Sequence, residues 1–215
     1  MTAEQLQQLK NAFNADYDQQ AVTKALDVAF NKAIGYDYVA DIDYATDSTY
    51  GFPTEAKAAN ITHINHIRFY GNQNIYVFDI TLDATCNIAR ARVNIKKLVT
   101  RLIAPYSNAL LLFHYADAAN KEWRISWVTK GSGNTHTGAA KRYTFLCGKM
   151  HPSRTIVDRL SKINESKLSS LPDKITEAFS VETLSDEFFA EYKAFYEDIV
   201  QYICGSRYVS WYEKS

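Results

Sequence analysis

Ile75-Tyr-Val-Phe-Asp-Ile-Thr-Leu82, Ile88 to Ile103 and Ala109-Leu-Leu-Leu-Phe113 decide the fold of this chain. The first stretch is short, apolar and rich in β-branched and aromatic residues, which predicts a strand. The second repeats apolar residues at helical intervals. The third is an unbroken apolar run, as expected of a strand covered on both faces. Strand, helix and strand at this spacing predict a βαβ crossover, which is right-handed when its strands are parallel. A fourth stretch, Glu122 to Val128, alternates Trp123, Ile125 and Trp127 with Arg124, Ser126 and Val128, so it reads as a strand with one apolar face. The expected class is α/β (α+β), a mixed sheet with helices on its faces.

Working outward, Thr2 and Gln5 stand at capping-box spacing ahead of Leu6, Leu9 and Phe13, which predicts an N-terminal helix. Asp18 is placed to cap a second helix that presents Val22, Leu26, Ala29 and Ala33 and ends at Gly35. Residues 36–60 read as irregular, with a strand fragment and a loop around Gly51-Phe-Pro53. Ile61 to Tyr70 and Ile75 to Leu82 form a hairpin across Gly71-Asn-Gln-Asn74. His63 and His66 fall on opposite faces of that strand, a poor arrangement for one metal. The Gly131 to Gly138 loop lacks the order of a phosphate loop. Lys141 to Phe145 reads as a strand. Ser153 to Ile163 reads as a helix whose Arg154, Asp158 and Arg159 pair locally. Ser166 to Asp173, with Pro172, reads as a linker. Beyond it, Ser185 caps an amphipathic helix running to Ile203, whose aromatic face includes Phe188, Phe189, Tyr192, Phe195, Tyr196 and Ile199. Tyr208, Trp211 and Tyr212 follow. The expected division is an α/β domain over 1–165 and a helical extension over 166–215.

The three cysteines are scattered and form no zinc-type pair, which suits a reducing cytoplasm. No apolar run reaches the roughly 18 residues of a membrane helix, and the N-terminus has no signal-peptide pattern, so no membrane partner is expected. The formal net charge is zero, but the charge is segregated: residues 88–101 carry five bases and no acid, while residues 1–60 carry nine acids and four bases. A basic centre can attract phosphate. Equally, the acidic and basic segments can pair with each other in the fold.

At about 100° per residue, the 88–103 helix places Ile88, Ile95, Val99 and Leu102 on one side. Arg90, Lys97 and Arg101 fall on the opposite side, with Arg92 and Lys96 flanking the apolar face. One reading is a phosphate-contacting ridge; the other is an ordinary solvated face.

Several stretches together resemble the N-terminal region of type IIG restriction-modification enzymes, in which an adenine-specific DNA methyltransferase is fused to an endonuclease. They are Tyr76 to Leu82, Ile88 to Leu98, Ala109 to Phe113, Lys121 to Trp127, Lys141 to Leu146, Ser153 to Thr155 and Glu177 to Lys193. The methyltransferase is absent: the chain has four prolines, none adjacent, so no Asn-Pro-Pro-Tyr motif exists. The resemblance implies a leading domain with a degenerate PD-(D/E)xK nuclease-like core, joined in its parent enzyme to a methyltransferase domain. It implies DNA as partner, with Arg90, Arg92, Lys96, Lys97, Arg101, Arg124, Lys141 and Arg142 as backbone contacts. If the domain cuts DNA, Mg²⁺ is the cofactor, and Asp79 and Asp83 are the catalytic acids and metal ligands. Asp79 and Asp83 share a strand face, but Thr81 stands where the lysine belongs. Glu55-Ala-Lys57 has the required spacing but reads as loop. The alternative is a non-catalytic module that docks the rest of the enzyme through the 185–203 helix.

Overall fold

β3 (Ile75–Leu82) and β4 (Asn108–Tyr115) pair in parallel, in register from Ile75 opposite Asn108 to Leu82 opposite Tyr115. The computed structural model describes residues 1–31, 33, 35–37, 42–87, 92–117, 122–130, 141–151, 153–180 and 192–202. Two parallel strands cannot be joined by a tight turn, so the chain crosses the sheet through α4 (Arg92–Leu102). The expected βαβ unit is therefore present. Around it the sheet is antiparallel and in sequence order, β1 (Gly35–Asp37), β2 (Ile61–Tyr70), β3, β4, β5 (Trp123–Thr129) and β6 (Lys141–Cys147). The mixed sheet carries helices on both faces, as the class α/β (α+β) requires.

Each face has its own core. Side chains alternate along a strand, so Ile75 and Val77 point to one side and Phe78 and Ile80 to the other. The first side is covered by α1 (Ala3–Asn14), α2 (Gln19–Ala29), α5 (Arg154–Ser161) and α6 (Leu171–Phe179). Here Trp123 and Trp127 are fully buried, and each indole N–H has an acceptor: Ala15 O at 3.2 Å and Thr176 Oγ1 at 2.8 Å. The second side is covered by α3 (Pro53–Ala58) and α4, which bury Ala56, Ile95, Leu98, Val99 and Leu102 against Phe78, Ile80 and Phe113.

Local signals held where they rest on short-range chemistry. Thr2 and Gln5 form the capping box, and Asp18 Oδ1 accepts from Ala21 N at 2.7 Å to cap α2. The β2–β3 hairpin closes through a 3₁₀ turn over Gly71–Gln73, and Asn74 takes the left-handed conformation. Three expectations need correction. α2 stops at Ala29 rather than Gly35, because Phe30 leaves the helical region at φ −89° and ψ 25° while its N–H closes the last helical bond, to Leu26 O. The segment around Pro53 is a helix, since proline fits a first helical turn whose N–H groups lack partners anyway. Leu171–Phe179 is likewise a helix, with Pro172 in its first turn, and it packs on α5 and β5. Beyond any local pairing, Arg159 donates to the carbonyls of Glu177 and Ala178, and Asp158 pairs with Lys162.

A first compact unit runs from Met1 to Phe179 and a second comprises Ser180–Ser215. In that second unit residues 192–202 are helical. Ser185, Phe188 and Phe189 of the expected amphipathic helix, and Tyr208, Trp211 and Tyr212 of the tail, lie outside the described residues.

His66 is buried on the second side, with its ring stacked 5.0 Å from Phe78 and Nε2–H donating to Arg68 O at 3.0 Å. Burial pushes its pKa down to about 4, against an unfolded value near 6.5. The unfolded chain thus takes up this proton first, so His66 removes stability as pH falls from about 6.5 towards 4. We predict a loss on the order of 2 kcal/mol over that window. Urea midpoints at pH 7 and pH 4.5 should converge in His66→Gln; an unchanged gap would rule His66 out as the cause.

Candidate functional site

Asp79 lies on β3, where the alternation turns it towards the α1–α2 side of the sheet. Its Oδ2 accepts the Tyr17 hydroxyl at 2.9 Å, and its Oδ1 lies 2.5 Å from His114 Nε2. His114 sits on β4 directly beside Thr81, whose Oγ1 is 3.3 Å from the same Nε2. The Tyr17 ring stacks on the imidazole, with centroids 4.2 Å apart and planes 12° from parallel. Four side chains from three elements therefore converge near the C-terminal end of the parallel pair, where open α/β sheets commonly place ligands.

The local reasons are visible in each element. Tyr17 occupies the short link between α1 and α2. That link is fixed by the Asp18 cap and by the Trp123 indole bond to Ala15. Burial, reinforced by the adjacent Asp79 charge, pushes the Tyr17 pKa far above its ordinary value. Tyr17 therefore keeps its proton and acts only as a donor. The Asp79 side chain is 10% exposed and that of His114 is 19% exposed, so the cluster is nearly but not wholly closed. Chemically, it can hold a proton between a carboxylate and an imidazole.

The remaining sequence candidates lie elsewhere. β3 ends at Leu82, and Asp83 opens a turn in which its Oδ1 accepts from Thr85 N at 2.8 Å and Thr85 Oγ1 at 2.5 Å. Its carboxylate is thus spent on its own turn rather than shared with Asp79. Glu55 and Lys57 sit on α3, on the other side of the sheet from Asp79. Glu55 is ion-paired to Arg101, which holds its carboxyl below the usual range. A two-acid Mg²⁺ site of the expected kind would need Asp79 and a second acid side by side. Among the described residues no group of three or more His, Cys, Asp or Glu side chains is placed to hold a metal.

The expected cationic ridge is narrowed. Arg90 lies outside the described residues, as does the side chain of Arg92. Arg101 is engaged: besides Glu55, its guanidinium lies 5.3 Å from the centroid of the Phe52 ring. Asn94 Nδ2 donates to Ala58 O at 2.6 Å, so this flank of α4 is clamped to α3. Lys96 and Lys97 are exposed and form no ion pair among the described residues. Arg124 points to the α4 side, is half-buried, and sits 3.8 Å from Glu122, with Nε buried and unpartnered. It is a poor surface contact. Lys141 and Arg142 are exposed on the edge strand β6, and Arg142 lies on the α4 side because it pairs with Val128.

No family model, no curated protein and no solved structure matches this chain. Tyr17 and His114 were not singled out in the sequence. They stand 62 and 35 residues from Asp79, and no short-range pattern links them. The one signal available for His114 was its place at the end of a strand expected to run parallel to that of Asp79.

Removing Asp79 leaves a buried hydroxyl and an imidazole without their acceptor. We predict that Asp79→Ala lowers stability by roughly 2 to 3 kcal/mol. In denaturant titrations, a loss below about 0.5 kcal/mol would mean that water takes over both bonds.

Proposed function

We propose that the chain is the DNA-associated leading domain of a restriction-modification enzyme of the type IIG kind, working in the cytoplasm beside a methyltransferase domain. The class, the order of elements and the resemblance across residues 60–203 support this reading. The observation that carries it is local: Lys96 and Lys97 stand exposed on α4 and form no ion pair among the described residues. Positive side chains not spent on internal acids are what a phosphate backbone engages.

Backbone binding is favoured over cleavage. Asp79 would have to share or give up its bonds to Tyr17 and His114 before binding a metal. The ExK acid, Glu55, is on the far side of the sheet and paired with Arg101.

One observation favours the docking alternative. On the 192–202 helix, Tyr192, Phe195, Tyr196 and Tyr202 are each more than half exposed and Ile199 is 40% exposed. Large exposed apolar patches mark interaction surfaces. In this second reading the helix seats the methyltransferase domain of the parent enzyme.

Two experiments test the proposal. Duplex DNA binding should weaken steeply between 50 and 200 mM salt, with a logarithmic slope of about −0.9 for each phosphate neutralised. The double charge reversal Lys96→Glu, Lys97→Glu should reduce both affinity and slope; absence of duplex binding by the wild type at low salt would overturn the reading. Plasmid nicking with Mg²⁺ should be no greater for the wild type than for Asp79→Ala. Nicking by the wild type that Asp79→Ala abolishes would restore the nuclease.

A further inference from the structure

On the first side of the sheet the C-terminal end of α1 meets the N-terminal end of α5, and the junction is tied by three bonds. Asn14 Oδ1 accepts from Ser153 N at 2.9 Å, and Phe13 O accepts from the Ser153 hydroxyl at 3.0 Å and from Gly148 N at 3.1 Å. Leu6, Lys10 and Asn14 recur every fourth residue and form one ridge of α1. Arg154, Val157 and Ser161 form the facing ridge of α5. Between the two ridges lies a cleft of about 570 Å³. Small-molecule sites occupy about 300 to 1,000 Å³, so the cleft has room for an organic ligand.

Its charge is one-sided. Lys10, Lys149 and Arg154 line it from three separate segments, against the single acid Asp158 among the described lining residues. Asp158 is paired with Lys162 at 3.0 Å, and Lys149 is held at the rim by Asp16 at 2.7 Å. Lys10 and Arg154 are exposed and form no ion pair among the described residues. A cleft lined by one sign of charge focuses its field and gathers counter-ions. An anion between these side chains would relieve their mutual repulsion.

The cleft is also polarised along its length. Lys149 and Arg154 lie at the Asn14 end. Leu6, half-buried, lies two turns back along α1, roughly 12 Å away at 1.5 Å per residue, and buried Val157 adds apolar surface from α5. Two uncompensated cations match a phosphate monoester, which carries about −1.5 to −2 charges at neutral pH, better than a carboxylate with one. The Arg154 guanidinium offers the paired N–H groups that phosphate oxygens accept.

We propose that the α1–α5 cleft binds a small organic monophosphate, with the phosphoryl group between Arg154, Lys149 and Lys10 and the apolar body on Leu6 and Val157. The site lies across the sheet from α4, so it stands independently of the phosphate-backbone reading above.

The test is calorimetric titration of the 215-residue chain with phenyl phosphate and adenosine monophosphate, beside inorganic phosphate, phenol and adenosine. Both phosphate esters should bind, inorganic phosphate more weakly, and phenol and adenosine weakest of all. Arg154→Ala and Lys10→Ala should each weaken the esters about tenfold. Both positions are exposed on helices, where alanine is well tolerated, and thermal melts check folding. Leu6→Ser should weaken phenyl phosphate and leave inorganic phosphate unchanged. Absence of ester binding at about 1 mM overturns the inference. So does equal binding of phenol or adenosine, or ester affinity unchanged in both Arg154→Ala and Lys10→Ala. Lys96→Glu, Lys97→Glu should bind the esters as the wild type does; loss of binding there would move the anion to α4, which overturns this inference and leaves the preceding proposal standing.

Discussion

The in-register parallel pairing of β3 with β4 is the constraint from which the rest of the architecture follows. Among the described residues it is the one parallel contact in an otherwise antiparallel order. It forces a crossover, and the crossover commits α4 to one face of the sheet. The opposite face then needs its own cover, which the N-terminal helices and α5–α6 supply. Both central strands are therefore buried on two sides, which is why Ala109 to Phe113 can be apolar without interruption. A one-residue slip in β3 would exchange Asp79 for Phe78 or Ile80 and bring a carboxylate into the α3–α4 core.

The same alternation divides the chemistry. Asp79, Thr81 and His114 fall on the α1–α2 side, whereas Glu55, Arg101, Lys96 and Lys97 fall on the α3–α4 side. In the sequence Glu55, Asp79, Lys96, Lys97 and Arg101 lie within 50 positions of one another and are candidates for one DNA-associated domain surface. In the fold the sheet stands between them. Charge segregation resolves in the same way. Acids of the first 60 residues do pair with bases further on, as Asp27 with Arg68 at 2.5 Å, Asp16 with Lys149 at 2.7 Å, and Glu55 with Arg101. Such pairing accounts for part of the basic centre; among the described residues it leaves Lys96, Lys97 and Lys141 outside it.

What could be read from the sequence was whatever depends on residues a few positions apart. Periodic and continuous apolar patterns gave β2 to β5 and Ile95, Val99 and Leu102 of the buried face of α4, to which the structure adds Leu98; Ile88 lies outside the described residues. The caps at Thr2 and Asp18 rest on bonds spanning three residues. Both helices that were missed, α3 and α6, carry a proline in their first turn. Proline reads as a breaker in a sequence but is welcome in a first turn, and six to nine residues are too few for a periodic signal to outweigh it. The Asp79 site was half legible. The acid could be picked out on a strand, but Tyr17 comes from an inter-helix link whose position depends on the whole first layer.

The Asp79 cluster also shows why a buried polar group is not by itself a source of stability. Replacing an ionic cluster with apolar side chains of similar volume is often neutral or stabilising, whereas removing one member is costly. Tyr17 and His114 add stacking that apolar residues could match in area. What they add beyond area is direction. A phenol that cannot release its proton and an imidazole held against Thr81 fix both oxygens of Asp79 at defined angles. That fixation, at the open end of the parallel pair, binds the α1–α2 link to the central strands through directed bonds. It orients the carboxylate in a way that hydrophobic packing, which has no preferred direction, could not.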